Sequence, residues 1–401
     1  MRPLSPAEAA LVASIDPASM LAQVEAWSAT NTGTGNLAGL AEQAAALADA
    51  FAALPGEIEL IEAEPVEAVA ADGSLFAREH GRHLVVRVRP EAQRRVLLTG
   101  HMDTVFAADH PFQAQRRLDD VTLNGPGVAD MKGGIAVIIA ALRAFEAGPA
   151  AARVGYDVMI NSDEETGSLS SGPLIAALAR GKDAALTYEP SALPDGTLAG
   201  ARGGSGNFSA IVTGRSAHAG RNPGWGRNAV VAASDLALRL KAMEASGLAI
   251  NPARIDGGSA NNVVPDHAVL RFNIRPRGAD DAERFDRAIY GIISEIEAEH
   301  EVKIQLHGGM TRPPKPLTPE AEALFGLVRD CGAALGQAIA WQPSGGVCDG
   351  NNIAACGVPV VDTMGVRGGA IHSSDEYLIV PSLAERAALS AVVLHRLAGG
   401  Q

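Results

Sequence analysis

Apolar residues recur at helical spacing through the opening of the chain, from Pro6 to Ser14, from Ala18 to Ser28 and from Leu37 to Leu54. Helices are expected over the first 60 residues, with Asn36 as N-cap of the third. The pattern then changes. HLVVRVRP, from His83, and RVLLTGHMDTVF, from Arg95, read as strands. KGGIAVIIAALRAFEA, from Lys132, is apolar almost all round, as a helix buried against a sheet is. RVGYDVMINSDEE predicts a further strand, LIAALARG a helix, and DAALTYEP a third strong strand. Strands alternating with helices predict a mostly parallel sheet.

Near Gly203 the character shifts. GNFSAIVTGRSAH alternates as a half-exposed strand, RNAVVAASDLALRLKAMEAS is an amphipathic helix, and HAVLRFNIRPR alternates again. DDAERFDRAIYGIISEIEAEH is a helix and EVKIQLHGG a last strand. This β-α-β-α-β order predicts helices on a small antiparallel sheet. The Pro-rich MTRPPKPLTP follows, and α/β character returns through VPVVDTMGV to the end. The expected organisation is therefore an α/β domain built from residues 1–204 and 313–401, interrupted by a smaller α+β domain over 205–312.

Composition narrows the function. The 401 residues carry 33 Lys and Arg against 46 Asp and Glu, a net charge of −13. That balance argues against nucleic acid or an anionic membrane surface as partner. The three cysteines, Cys331, Cys348 and Cys356, form no CxxC pair and no disulfide framework. The opening residues lack the basic and long apolar regions of a signal peptide, and no apolar run reaches the roughly 18 residues of a membrane span. A cytoplasmic protein is expected.

Acidic and histidine residues stand where apolar strands end. His101 and Asp103 follow RVLLTG, Asp130 follows the Gly-rich turn NGPGVA, Glu164 and Glu165 follow YDVMINSD, and Glu189 follows AALTY. In an open α/β sheet such positions converge on one crevice. Imidazole and carboxylate are zinc ligands. Two metals sharing a bridging carboxylate polarise a carbonyl and activate water, and a further carboxylate beside that water can take its proton. Taken singly, each element is ordinary: an HxD, a Glu-Glu pair after a strand, or glycines that let a helix approach a strand. Six segments in one order are not: HMDTV, GPGVADMKGG, SDEETGS, YEPS, GRSAHAG and IHSSDE.

With these segments the chain, from Leu97 onward, resembles the co-catalytic zinc metallopeptidases. These include aminoacylases, acetylornithine and succinyl-diaminopimelate deacylases, and bacterial glutamate carboxypeptidase. The resemblance implies a zinc-peptidase-like mixed α/β sheet flanked by helices, an inserted α+β dimerisation or lid domain, and a homodimer. It implies two zinc ions, with cobalt or manganese as alternatives, held by His101, Asp130, Glu165, Glu189 and His372, with Asp130 bridging. It makes Glu164 the general base and Asp103 the residue that orients His101. It makes His218, from a neighbouring subunit, a donor to the oxyanion, and Asn262, Arg275 and Arg312 substrate contacts.

The resemblance thus implies hydrolysis of an amide bond beside an amino-acid carboxylate, glutamate carboxypeptidase-like, on a small peptidyl or N-acyl amino acid. Three other readings stay open: an N-acyl-amino-acid deacylase or dipeptidase, a non-catalytic binding module of the same fold, and a hydrolase dependent on Cys348. Cys348 is read as a thiol lining the substrate site, in the Gly-rich SGGVCDGNN.

Overall fold

The computed structural model describes residues 2–399. Its chain divides into two units. The first contains residues 2–64, 79–201 and 317–399, and the second 65–78 and 202–316.

The first unit is built on a six-stranded sheet. Its strands run in the order Glu57–Ile61, His83–Val88, Val154–Asn161, Arg94–His101, Ala184–Thr187 and Val360–Val361. The first two pairings are antiparallel and the remaining three parallel. The sheet is thus mixed. The parallel part is the part the alternation of strands and helices anticipated. The antiparallel edge begins with Glu57–Ile61, inside the stretch expected to be helical. Its EIELI sequence alternates, and the strand is half-exposed at the sheet edge.

Helices cover this sheet. Pro6–Ala13, Pro17–Ser28 and Leu37–Phe51 lie where helical spacing placed them. The Asn36 side chain accepts the Gly39 amide at 3.2 Å, capping the third. Helix Gly133–Glu146 is buried along most of its length, with Ile135, Val137, Ile138, Leu142 and Phe145 shielded from solvent. Each such side chain contributes ~1.5–3 kcal/mol of burial free energy. The helix Ser382–Leu397 packs against it and is buried on most of its surface as well.

A smaller sheet matters more for chemistry. It runs in the order Gly368–Gly369, Tyr377–Ile379, Thr122–Asn124 and Arg116–Arg117. Tyr377 pairs with Asn124. This register brings the loop after residue 124 alongside the loop before residue 377, although 250 residues separate them in sequence.

The second unit holds a four-stranded antiparallel sheet in the order Leu248–Gly257, His267–Pro276, Ser205–Thr213 and Lys303–Arg312. Alternate residues Phe208, Ala210, Val212, Leu270, Phe272 and Ile274 form its core with the helices Ala229–Ala242 and Ala279–His300. Phe208 and Phe272 stack at 5.1 Å. Two features were not read from the sequence. The strand Leu248–Gly257 lies at one edge of the sheet. The hairpin Val66–Val69/Leu75–Arg78 belongs to this unit, where Arg271 donates to the Val69 carbonyl at 3.0 Å. No helix among the described residues is long and apolar enough to cross a membrane.

Candidate metal centre

Three parallel strands set the floor of the site. His101 is the last residue of Arg94–His101 and pairs with Asn161, the last of Val154–Asn161. Asp103 follows the first, Glu164 and Glu165 follow the second, and Glu189 follows Ala184–Thr187. All therefore emerge at the carboxyl ends of the strands, where ligands bind in such sheets. The helix Gly133–Glu146 must approach closely to complete this arrangement. A Cβ on Gly134 would lie 2.0 Å from the Tyr188 carbonyl oxygen, beside Glu189, so this position requires glycine.

Asp130 sits at the centre, in the irregular turn Val128–Lys132 that precedes that helix, and the Asp130–Met131 peptide is cis. Its two carboxylate oxygens face different partners. Oδ1 lies 3.1 Å from His101 Nε2, which is itself 3.7 Å from Glu189 Oε2. Oδ2 lies 3.3 Å from His372 Nε2, which is also 3.3 Å from Glu165 Oε2. Two imidazole–carboxylate groups thus share one carboxylate. Glu164 belongs to the His101 side: one of its oxygens lies within 4.8 Å of ligand atoms on His101 and Glu189.

Asp103 is fully buried and holds several parts at once. His101 Nδ1 faces the Asp103 carbonyl at 3.0 Å and its Oδ1 at 3.4 Å. That contact turns Nε2 toward Asp130. Asp103 Oδ1 also accepts the Glu164 amide, and Oδ2 the Glu165 amide, both at 3.2 Å. Thr34 donates to Oδ2 at 2.8 Å.

The electrostatics describe a centre short of positive charge. Burial pushes Glu189 up to about 8, against the pull of His101. Burial and the neighbouring Asp130 push Glu165 up to about 8. Burial acts on Asp130 in the same direction, but hydrogen bonds from His101 and His372 outweigh it and hold the carboxyl below its usual range. Hydrogen bonds to Asp130 and Glu165 raise His372 to about 11. Burial would lower His101, yet Glu189 and the other carboxylates raise it well above the usual imidazole value. Protons here neutralise carboxylates that would otherwise repel one another. Divalent cations would do the same with the same donor atoms, and the carboxylate–imidazole set suits zinc.

Two supporting residues escaped the sequence reading. Glu376, 1% exposed, accepts the backbone amides of Gly127, Ala129 and Asp130. Asp349 joins Asn161 and Ser168 in a buried network, at 2.8 and 2.6 Å, below the turn that carries Glu164 and Glu165. An acidic residue in a polar loop carries no sequence signal that separates it from a solvated one. Cys348, read from the sequence as a thiol lining the substrate site, is buried. It is 2% exposed, at the start of helix Asp349–Ala355, with Sγ 3.7 Å from Asp362 Oδ2.

The other four candidate residues lie in the second unit. His218 is exposed and ends the short strand Ala217–His218. Its Nδ1 accepts the Gly220 and Arg221 amides at 3.1 and 3.2 Å. Asn262 lies next to it through the Ala219 amide, which donates to the Asn262 carbonyl at 2.9 Å. Arg275, on His267–Pro276, donates from Nε to Asn273 Oδ1 at 2.8 Å, and burial lowers its pKa. Arg312 is 2% exposed and pairs with Ser205 at the end of Lys303–Arg312.

Residues 97–396 match the model of Peptidase family M20/M25/M40. The chain belongs to this family. It is accordingly a metallopeptidase-type hydrolase, and the six-segment resemblance pointed to the same group. Carboxypeptidase G2 from Pseudomonas sp. (strain RS-16) is 30% identical over 335 residues, covering 80% of this chain and 78% of that one. A succinyl-diaminopimelate desuccinylase from Rhodospirillum centenum is 31% identical over 329 residues, covering 75% and 81%. Among solved structures, a tripeptidase from Staphylococcus aureus superposes with a TM-score of 0.74 at 22% identity, over 96% of this chain and 100% of its own. A Bacillus subtilis protein described as a dinuclear metal binding peptidase of family M20 superposes with a TM-score of 0.64 at 15% identity, over 94% and 98%.

Proposed function

We propose that the protein hydrolyses an amide bond beside an amino-acid carboxylate, in the manner of a glutamate carboxypeptidase. The observation that carries the metal chemistry is the division of Asp130 between His101 and His372. His101, Asp130 and Glu189 would hold one zinc ion, and His372, Asp130 and Glu165 the other. Cobalt or manganese suits the same donors. When bound, such a pair polarises a carbonyl and lowers the pKa of water between the two ions.

The chain's own residues are assigned the rest. Asp103 fixes the tautomer and orientation of His101. Glu164 takes the proton from the attacking water and delivers it to the leaving nitrogen. The amides on His218 Nδ1 leave the proton of a neutral imidazole on Nε2, which can donate to the carbonyl oxygen as charge develops there. That imidazole is assigned to a partner subunit. Exposed Val231, Leu238 and Tyr290 on the outer helices of the second unit favour a homodimer. Arg275, held by Asn273, is assigned the substrate carboxylate, with Asn262 beside His218 as a polar contact. Arg312 is the second candidate for that carboxylate, and its burial means that substrate would have to reach it inside the unit. Three free thiols favour a reducing, cytoplasmic setting.

The likeness to a desuccinylase supports a second reading, deacylation of an N-acyl amino acid. A mass-spectrometric panel of N-acyl and peptidyl amino acids separates the two. Release of glutamate from aryl- or peptidyl-glutamates supports the first reading, and release from simple N-acyl amino acids alone supports the second. Chelation should stop either reaction and zinc should restore it. Activity that survives chelation but not a thiol reagent would instead implicate Cys348.

A further inference from the structure

The segment that carries His372 and the turn that carries Asp130 are far apart in sequence, and one side chain joins them. Glu376 lies four residues beyond His372. Its Oε1 accepts the Ala129 and Asp130 amides at 2.9 and 3.1 Å, and its Oε2 the Gly127 amide at 3.2 Å. Three amides of the 127–130 turn, that of Asp130 included, therefore converge on one buried carboxylate. The opposite direction is tied as well. The Glu376 carbonyl accepts Asn124 Nδ2 at 2.7 Å and the Gly125 amide at 3.3 Å, and Asn124 Nδ2 also reaches the Ser374 carbonyl at 3.1 Å. The Glu376 amide closes its own turn on the Ser373 carbonyl at 3.1 Å. Between these clamps, His372 Nε2 meets Asp130 Oδ2 at 3.3 Å.

We infer that Glu376 is a positioning residue for the metal centre, which sets the distance between the Asp130 carboxylate and the His372 imidazole without itself touching either metal. This rests on the metal-binding reading given above. An ionised carboxylate suits the task because it only accepts, and all three facing groups are donors. Glutamine of the same size keeps one acceptor oxygen but turns an amide donor toward a backbone N–H. Partners that orient metal ligands in this way are worth about 10–100-fold in metal affinity.

The test is a competition titration of the metal-free chain with zinc against a chromophoric chelator, for wild type, Glu376→Gln and Asn124→Ala. Glu376→Gln should weaken at least one of the two zinc equivalents by about 10–100-fold. Asn124→Ala, which loosens the backbone of the same clamp, should act in the same direction with a smaller effect. Activity of Glu376→Gln should recover as free zinc is raised, which a merely destabilised or chemically disabled enzyme would not show. Wild-type affinity for both equivalents in Glu376→Gln overturns the inference, as does lost activity that zinc cannot restore. If Glu376→Gln does not fold, unchanged affinity in Asn124→Ala overturns it. A wild-type chain that takes up no divalent cation would instead refute the metal reading itself.

Discussion

Asp103 Oδ1 accepts the backbone amide of Glu164 at 3.2 Å. The carboxyl group that faces His101 therefore also hangs the turn carrying the proposed base. Asp103→Ala should disturb both. The His101 ring would lose a partner, and the amides of Glu164 and Glu165 would lose their acceptor. The expected result is a fall of about 10–100-fold in zinc affinity, with a loss of kcat that saturating zinc only partly restores. Full recovery at high zinc would mean that the hold on Glu164 contributes nothing to turnover.

Glu164 itself is assigned proton transfer. Glu164→Gln should lower kcat by at least about 10²–10⁴-fold while zinc content, measured by elemental mass spectrometry, stays near the wild-type value. Its oxygen lies on the His101–Glu189 side of the centre, within ligand range. Loss of one zinc along with activity would therefore reassign it from base to ligand.

If His218 serves a partner's site, two inactive variants can complement. His218→Ala mixed with Glu164→Gln, under conditions that exchange subunits, should regain partial activity because some sites receive both a good base and a good donor. A mixture as inactive as its components, with exchange shown independently, would place His218 outside the reaction or within its own subunit.

One buried ion pair predicts the response to acid. Burial alone would raise the Glu8 carboxyl, but hydrogen bonds from Arg396, the Ser5 amide and Arg2 bring it down to about 2, from 4.5. Arg396 Nε and Arg2 both lie 2.7 Å from its Oε1. A depressed folded-state pKa favours the folded chain above the unfolded value, and the advantage disappears as pH falls through the folded one. Denaturant unfolding should show wild type losing on the order of 2 kcal/mol more than Glu8→Gln between pH 5 and about 2. Parallel pH profiles for the two proteins would show that Glu8 is not the group responsible.

Much of the candidate metal centre was legible because His101, Glu165 and Glu189 each follow a run of apolar residues, and strand ends converge in an α/β sheet. His101, Glu165 and Glu189 could be placed on one crevice from that rule alone. His372 could not, since no strong strand precedes it. Its place depends on a short sheet in which Tyr377 pairs with Asn124, a pairing across hundreds of residues with no local pattern. Glu376, the last residue of IHSSDE, and Asp349, beside Cys348, were given no role for a related reason. Their partners are backbone amides and a buried Asn–Ser network, and nothing in the surrounding sequence marks a loop carboxylate as buried. The Glu57–Ile61 strand and the Val66–Val69/Leu75–Arg78 hairpin were missed because their strands are only four or five residues long and bury no residue fully, with Leu75–Arg78 exposed throughout. Gly134 lies between the two cases. Its sequence suggested close approach of a helix to a strand, and the 2.0 Å clearance to the Tyr188 oxygen shows why that approach is needed beside Glu189.

The central claim is that one carboxylate serves two cations. Counting zinc per chain by native mass spectrometry, in wild type and in Asp130→Ala, tests it directly. The account predicts two zinc ions bound to wild type and weakened binding of both in the variant, because each proposed group loses the oxygen it shares. A single ion in wild type, or one ion retained at full affinity after Asp130→Ala, would contradict a shared Asp130.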